Sequence, residues 1–146
     1  MAPELEVTVR DSALGVEGYV VVWNTGISVG GLSSAAVKGG TRITPQVSLS
    51  EVKMLARTMA LKNAAAGLPL GGAKSGLKLD PQAPGSRSNI AALSGCAHLC
   101  CMKTAAHFGG FGFDIGACPE HALWACDELK STRCFTWKTG EHGRHR

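Results

Sequence analysis

Leu5, Val7 and Val9 alternate with Glu6, Thr8 and Arg10, the period-two pattern of a strand with one buried face. Asp11 to Gly15 follows as a turn, and Gly18 to Trp23 then carries the unbroken run Tyr19-Val20-Val21-Val22-Trp23. Such a run predicts a strand buried on both faces, and the short turn predicts that the two strands pair as a hairpin. From Asn24 to Val37 the chain loses periodicity and fills with Gly and Ser, so it reads as a long loop of the kind that is functional or disordered in compact domains. It delivers Lys38-Gly39-Gly40-Thr41-Arg42, with Arg42 to Thr44 at one end of a short strand before Pro45.

A helical period follows. Ser48 and Glu51 have the spacing of a capping box, and Val52, Leu55, Met59, Lys62 and Ala66 recur at intervals of three and four. The spacing predicts a helix over Ser48 to Ala66, stopped by Gly67 and Pro69, with Lys62 in line with its buried face. That lysine has a structural explanation as well, because a cation near a helix C-terminus meets the macrodipole favourably and its stem can snorkel to water.

Pro69-Leu70-Gly71-Gly72-Ala73-Lys74-Ser75-Gly76 then reads as a glycine-rich turn that carries one lysine. Glycines permit a tight bend or close approach to a ligand, and a lysine held among small residues loses hydration, which lowers its pKa and suits it to act as a base. A solvated loop lysine or a phosphate cradle would explain the same residues. The P-loop version of that cradle fails on register: Gly67 and Gly72 have the separation of G-x-x-x-x-G-K-[ST], but Ala73 stands where the lysine must be.

Leu77-Lys78-Leu79 predicts a strand ended by Asp80-Pro81, and Gln82 to Ser88 reads as a Pro/Gly/Ser linker. Ile90 to His107 predicts a helix of small residues and cysteines. Phe108 to Gly116 is a second glycine-rich segment, and a helix is predicted from about Pro119 to Lys130, with Pro119 at its first position. Gly110, Gly112 and Gly116 give G-x-G-x-x-x-G, which is not the dinucleotide fingerprint. Asp114 lies amid glycine and phenylalanine, where apolar surroundings would raise its pKa toward a proton-transfer value; a turn aspartate capping local backbone is the alternative.

Composition sets the bounds. With 146 residues the chain reads as one domain. Its net charge is +4 with scattered basic residues and few aromatics, which shows no nucleic-acid surface. No apolar run reaches membrane-spanning length, and the N-terminus lacks the profile of a signal peptide. A cytoplasmic protein with reduced thiols is therefore expected. The six cysteines form no C-x-x-C pair, the short spacing that zinc sites use, so no metal is assigned even with His98 and His107 near Cys96, Cys100 and Cys101.

Three lysine-bearing motifs now stand together: Lys38-Gly39-Gly40-Thr41-Arg42, Leu61-Lys62-Asn63-Ala64-Ala65-Ala66-Gly67-Leu68-Pro69, and Gly71-Gly72-Ala73-Lys74-Ser75-Gly76 through Asp80-Pro81. With Asp114-Ile115-Gly116 they resemble the N-terminal dimerisation domain of the glutamate/leucine/phenylalanine/valine dehydrogenases. Residues 4 to 81 carry the likeness in order and spacing, and from Gln82 to Phe113 it thins. The resemblance implies an α/β fold, a three-layer αβα sandwich with a mixed sheet. The dehydrogenase domain would occupy residues 1–134, with 135–146 a residual linker and no Rossmann domain following.

The implied activity is NAD- or NADP-dependent oxidative deamination of an amino acid to its 2-oxo acid, in a homo-oligomer, with the cofactor held mainly by the missing domain and the chain inactive alone. By the same likeness Lys62 would hold the substrate α-carboxylate, Lys74 would be the catalytic base and Asp114 the catalytic proton shuttle. Lys38, with Gly39 and Gly40, would meet the substrate side chain, which favours glutamate. The sequence around Lys62 looks more like branched-chain members, and a non-catalytic assembly module is the alternative from another functional class.

Overall fold

The computed structural model describes residues 2–13, 15–25, 37–91 and 111–130. The expected loop after residue 25, most of the helix expected over 90–107, the 135–146 tail, and Cys96, Cys100, Cys101 and Cys134 lie outside them. Among the described residues no helix is long and apolar enough to cross a membrane.

Strand β1 (Leu5–Asp11) and β2 (Val16–Asn24) form the expected antiparallel hairpin, with Leu5 opposite Val22 and Asp11 opposite Val16. Next come β3 (Val37–Ile43), helix α1 (Leu49–Ala65), β4 (Gly71–Leu77), β5 (Phe111–Phe113) and helix α2 (Pro119–Leu129). The sheet runs β1-β2-β4-β3-β5, with β4 antiparallel to β2 and parallel to β3, and β5 parallel to β3. A parallel neighbour needs a crossover, and α1 is the crossover between β3 and β4.

The sheet's alternation sends one set of side chains to each layer. Tyr19 and Val21 pack with Val47, Val52 and Ala56 on the α1 side. Val16, Ile43 and Leu77 pack on the other side with Ala125 of α2 and with Ile90, in a short helical stretch at residues 86–91. These two cores make the three layers of the αβα sandwich.

Three sequence expectations shift here. The segment read as a glycine-rich turn is the central strand β4, buried along its whole length, and it ends at Leu77 rather than Leu79. Its glycines serve packing: a Cβ on Gly72 would lie 2.3 Å from the Ala60 nitrogen and 2.5 Å from the Ala56 carbonyl oxygen, so only glycine lets α1 lie against the strand. The buried stripe of α1 is accordingly Val52, Ala56, Ala60 and Asn63, one position away from the expected Leu55, Met59 and Lys62. Lys62 is exposed. The expected linker is also already helical from residue 86, where Ser86, Asn89 and Ile90 are buried.

The ends of α1 follow the sequence more closely. The Ser48 hydroxyl accepts from the Glu51 N–H at 3.3 Å, and Gly67, with φ +67°, follows the C-cap. Only half of the capping box forms, because the Glu51 carboxylate turns to Arg42 instead.

Candidate functional site

Parallel pairing of β3 with β4 aligns Lys38 with Gly72 and Arg42 with Gly76. Because side chains alternate along a strand, Lys38, Gly40 and Arg42 share one face with Lys74, the face that α1 covers. Lys74 is buried in the middle of β4, its side chain only 6% exposed. Asp114 follows β5, and its backbone N–H donates to the Thr41 carbonyl at 3.0 Å. That bond carries the β3–β5 ladder one residue further and brings the carboxylate over β3 to Lys74.

The Lys74 Nζ donates to Asp114 Oδ2 at 2.5 Å. Arg42 Nη2 donates to the same oxygen at 3.2 Å, and Arg42 Nη1 to Glu51 Oε1 at 2.5 Å. Gly40 leaves room beside the pair: a Cβ there would lie 3.2 Å from Asp114 Cβ and 3.4 Å from Lys74 Nζ. Two lysines, an arginine and a carboxylate on one sheet face suit an anionic substrate whose amine or carbonyl exchanges protons.

Asp114 corrects the expectation of a raised pKa. Burial alone would raise its carboxyl, but the hydrogen bond and charge of Lys74, the Ile115 N–H and the charge of Arg42 outweigh it and hold it below the ordinary carboxylate range. Its folded value is depressed, so its contribution to stability is present above the ordinary carboxylate range and is lost as pH falls through the lowered value.

The structure therefore brings Lys74, Asp114 and Gly40 together and aligns Lys38 on the same face, half-exposed. Gly39 lies against β4, where a Cβ would meet the Ala73 carbonyl oxygen. Lys62 sits in the last turn of α1, and among the described residues no hydrogen bond or ion pair joins it to the cluster. Sequence reasoning missed the role of Arg42. The signal was available in its spacing, since Lys38, Gly40 and Arg42 fall two apart, which on a strand means one face.

A second concavity lies on the other side of the sheet. About 510 Å³ in volume, it is lined by residues including Ser86, Cys118, His121 and Trp124. His121 is buried there, burial lowers its pKa, and its Nδ1 accepts from the Cys118 N–H at 3.1 Å, closing the first turn of α2. Cys118 and Cys126 form no disulfide. Among the described residues no group of three or more His, Cys, Asp or Glu could hold a metal.

The glycines near Asp114 have packing roles. Gly112 is inside β5, paired with Gly40. Gly116, with φ +84°, is pressed so closely on the Ile43 carbonyl that a Cβ would overlap it at 1.7 Å. Phe111–Phe113 is sheet, and residues 114–118 turn from it into α2.

The fold is thus a three-layer α/β domain in which a lysine of a central strand is buried against an aspartate. Residues 3–129 match the Glu/Leu/Phe/Val dehydrogenase dimerisation domain, and the chain belongs to that family. Over 112 residues it is 32% identical to the NADP(+)-dependent glutamate dehydrogenase of Pyrobaculum calidifontis, a match covering 77% of this chain and 25% of that protein. The glutamate dehydrogenase of Thermotoga maritima is 43% identical over 67 residues, 45% of this chain and 16% of that one.

Among solved structures, the Leu-bound hetero-hexameric glutamate dehydrogenase of Thermus thermophilus superposes with a TM-score of 0.71 at 27% identity, covering 97% of this chain and 35% of that chain. The glutamate dehydrogenase of Peptoniphilus asaccharolyticus gives 0.67 at 25% identity, covering 95% and 37%. The chain thus spans about a quarter or less of the length of the two curated relatives.

Proposed function

We propose that this chain is the substrate side of an NAD(P)-dependent amino acid dehydrogenase that converts L-glutamate to 2-oxoglutarate and ammonia. The observation that carries it is the buried Lys74–Asp114 contact on the face shared with Lys38. Oxidation of an α-amino acid leaves an iminium carbon, and water adds to it only as it gives up a proton. In this reading Lys74 accepts that proton as base, and Asp114, in direct contact, passes protons to and from the substrate nitrogen. In whole enzymes of the relatives' kind the nicotinamide accepts the hydride, and its binding lies with chain other than the residues described.

In this proposal Lys62 holds the α-carboxylate from the end of α1, with the Gly39–Gly40 backbone beside the substrate and Lys38 against the side-chain carboxylate. The domain's family description, and the hetero-hexamer among its structural neighbours, support working in an oligomer, here proposed as a homo-oligomer. A cytoplasmic setting, where thiols stay reduced, is proposed with it.

The test joins this chain in frame to the cofactor domain of a glutamate dehydrogenase relative and measures NAD(P)H formation with glutamate and with leucine. Glutamate is expected to be preferred. Lys38→Leu is expected to lower kcat/KM for glutamate by about 100-fold, since losing one partner of a desolvated charge pair costs several kcal/mol. Leucine preferred by the unmutated fusion, or a preference that Lys38→Leu leaves unmoved, would sink the glutamate assignment.

A further inference from the structure

We propose that Arg42, braced by Glu51, is the positioning residue of this site: its forked guanidinium holds the Asp114 carboxylate in the orientation that meets Lys74. The inference rests on the reading of Lys74 and Asp114 as a catalytic pair, and goes beyond it to what sets their geometry.

Arg42 links three elements. It rises from β3, reaches Glu51 in the first turn of α1 with one terminal nitrogen, and reaches Asp114 beyond β5 with the other. Its side chain is only 17% exposed. Its Nε is buried and has no partner among the described residues. Buried donors are normally satisfied, so a guanidinium that forgoes one bond is held where it is by the two it keeps. Both contacts are charge-assisted and come from one rigid plane, so they fix direction as well as distance.

The charges around Asp114 are arranged to hold it without overloading the site. Lys74 faces it from β4 and Arg42 from β3, while Glu51 of α1 stands behind Arg42 and Lys38 shares the β3 face. Both cations meet Oδ2. Glu51 offsets part of the Arg42 charge, so two cations approach one carboxylate oxygen without an uncompensated positive charge in the interior. It also explains why Glu51 leaves the capping box half-made. A lysine at position 42 would be a point charge on a flexible stem, unable to engage both carboxylates from one plane.

The test uses the 146-residue chain, labelled with ¹³C, and two NMR readouts: the pH titration of the Asp114 carboxyl and the three-bond couplings of its β protons, which report its χ1 rotamer. The wild-type chain should show one rotamer. Arg42→Met should average the rotamer and raise the titration midpoint, the direction expected from removing a nearby cation. Arg42→Lys should keep part of the midpoint shift and still average the rotamer.

A folded Arg42→Met chain with a single rotamer and an unmoved midpoint would overturn the proposal. If that variant does not fold, a single unaveraged rotamer in Arg42→Lys overturns it just as well. A purely structural brace would alter melting without moving either readout. Neither readout needs turnover, so a fused enzyme inactive toward glutamate would count against the proposed function and leave this result standing.

Discussion

Replacing Lys74 by methionine in the fused, cofactor-competent enzyme should lower kcat for glutamate by about 10³-fold, within the range a positioned acid or base contributes. Asp114→Asn should cost about 100-fold or more, because the amide keeps the shape of the carboxyl but cannot take a proton. The loss should fall on kcat more than on KM, since both groups act as the proton moves rather than as the substrate settles. Methionine fills the space of the lysine stem and leaves Asp114 its contact with Arg42, so the fold should survive, which circular dichroism checks. A Lys74→Met enzyme within tenfold of the parent would remove Lys74 from the chemistry.

The second large effect concerns packing alone. Gly72→Val should destabilise the 146-residue chain by about 3 kcal/mol, the upper part of the range for overpacking a core, because the new Cβ would strike backbone of Ala56 and Ala60 that no rotamer change can move aside. Urea unfolding measures it, as a fall in the midpoint. Gly15→Asn is the control: Gly15 has φ +64° with nothing within 4 Å of a Cβ, and asparagine accepts that conformation. It should unfold near the parent's midpoint. A Gly72→Val chain as stable as the parent would mean that α1 does not lie against β4 at this distance.

The same packing explains what could be read in advance. The β1–β2 hairpin, both ends of α1 and the start of α2 were legible because alternation, capping residues and Pro119 are local signals. Strand β4 was hidden because glycine and lysine are poor strand formers, and they are tolerated there because β2 and β3 pair with both its edges and α1 packs on one face. The α1 stripe was misplaced by one position for the matching reason. Opposite glycines, the helix buries Ala56 and Ala60 and leaves the larger Leu55 and Met59 only partly covered, so hydrophobicity marked the wrong flank and carried Lys62 into the core on paper.

Lys74 and Asp114 were singled out through their motifs, whereas the charges that set the Asp114 ionisation were not visible there. Phe111 and Phe113 suggested an apolar setting for Asp114, but its ionisation answers to Arg42, which lies 72 positions away in sequence, and to Lys74. Nothing local shows that β3 and β5 are neighbours. Glu51 was likewise read as a capping residue because the arginine that claims it comes from another element.

A crystal structure of the fused enzyme with 2-oxoglutarate bound would test the proposed site most directly. The ligand should lie on the α1 face of the sheet, its keto oxygen within hydrogen-bonding reach of Lys74 Nζ, its α-carboxylate toward Lys62 and its other carboxylate toward Lys38. Density for 2-oxoglutarate in the cavity beside Ser86, His121 and Trp124, on the opposite side of the sheet, with the space next to Lys74 empty, would contradict it.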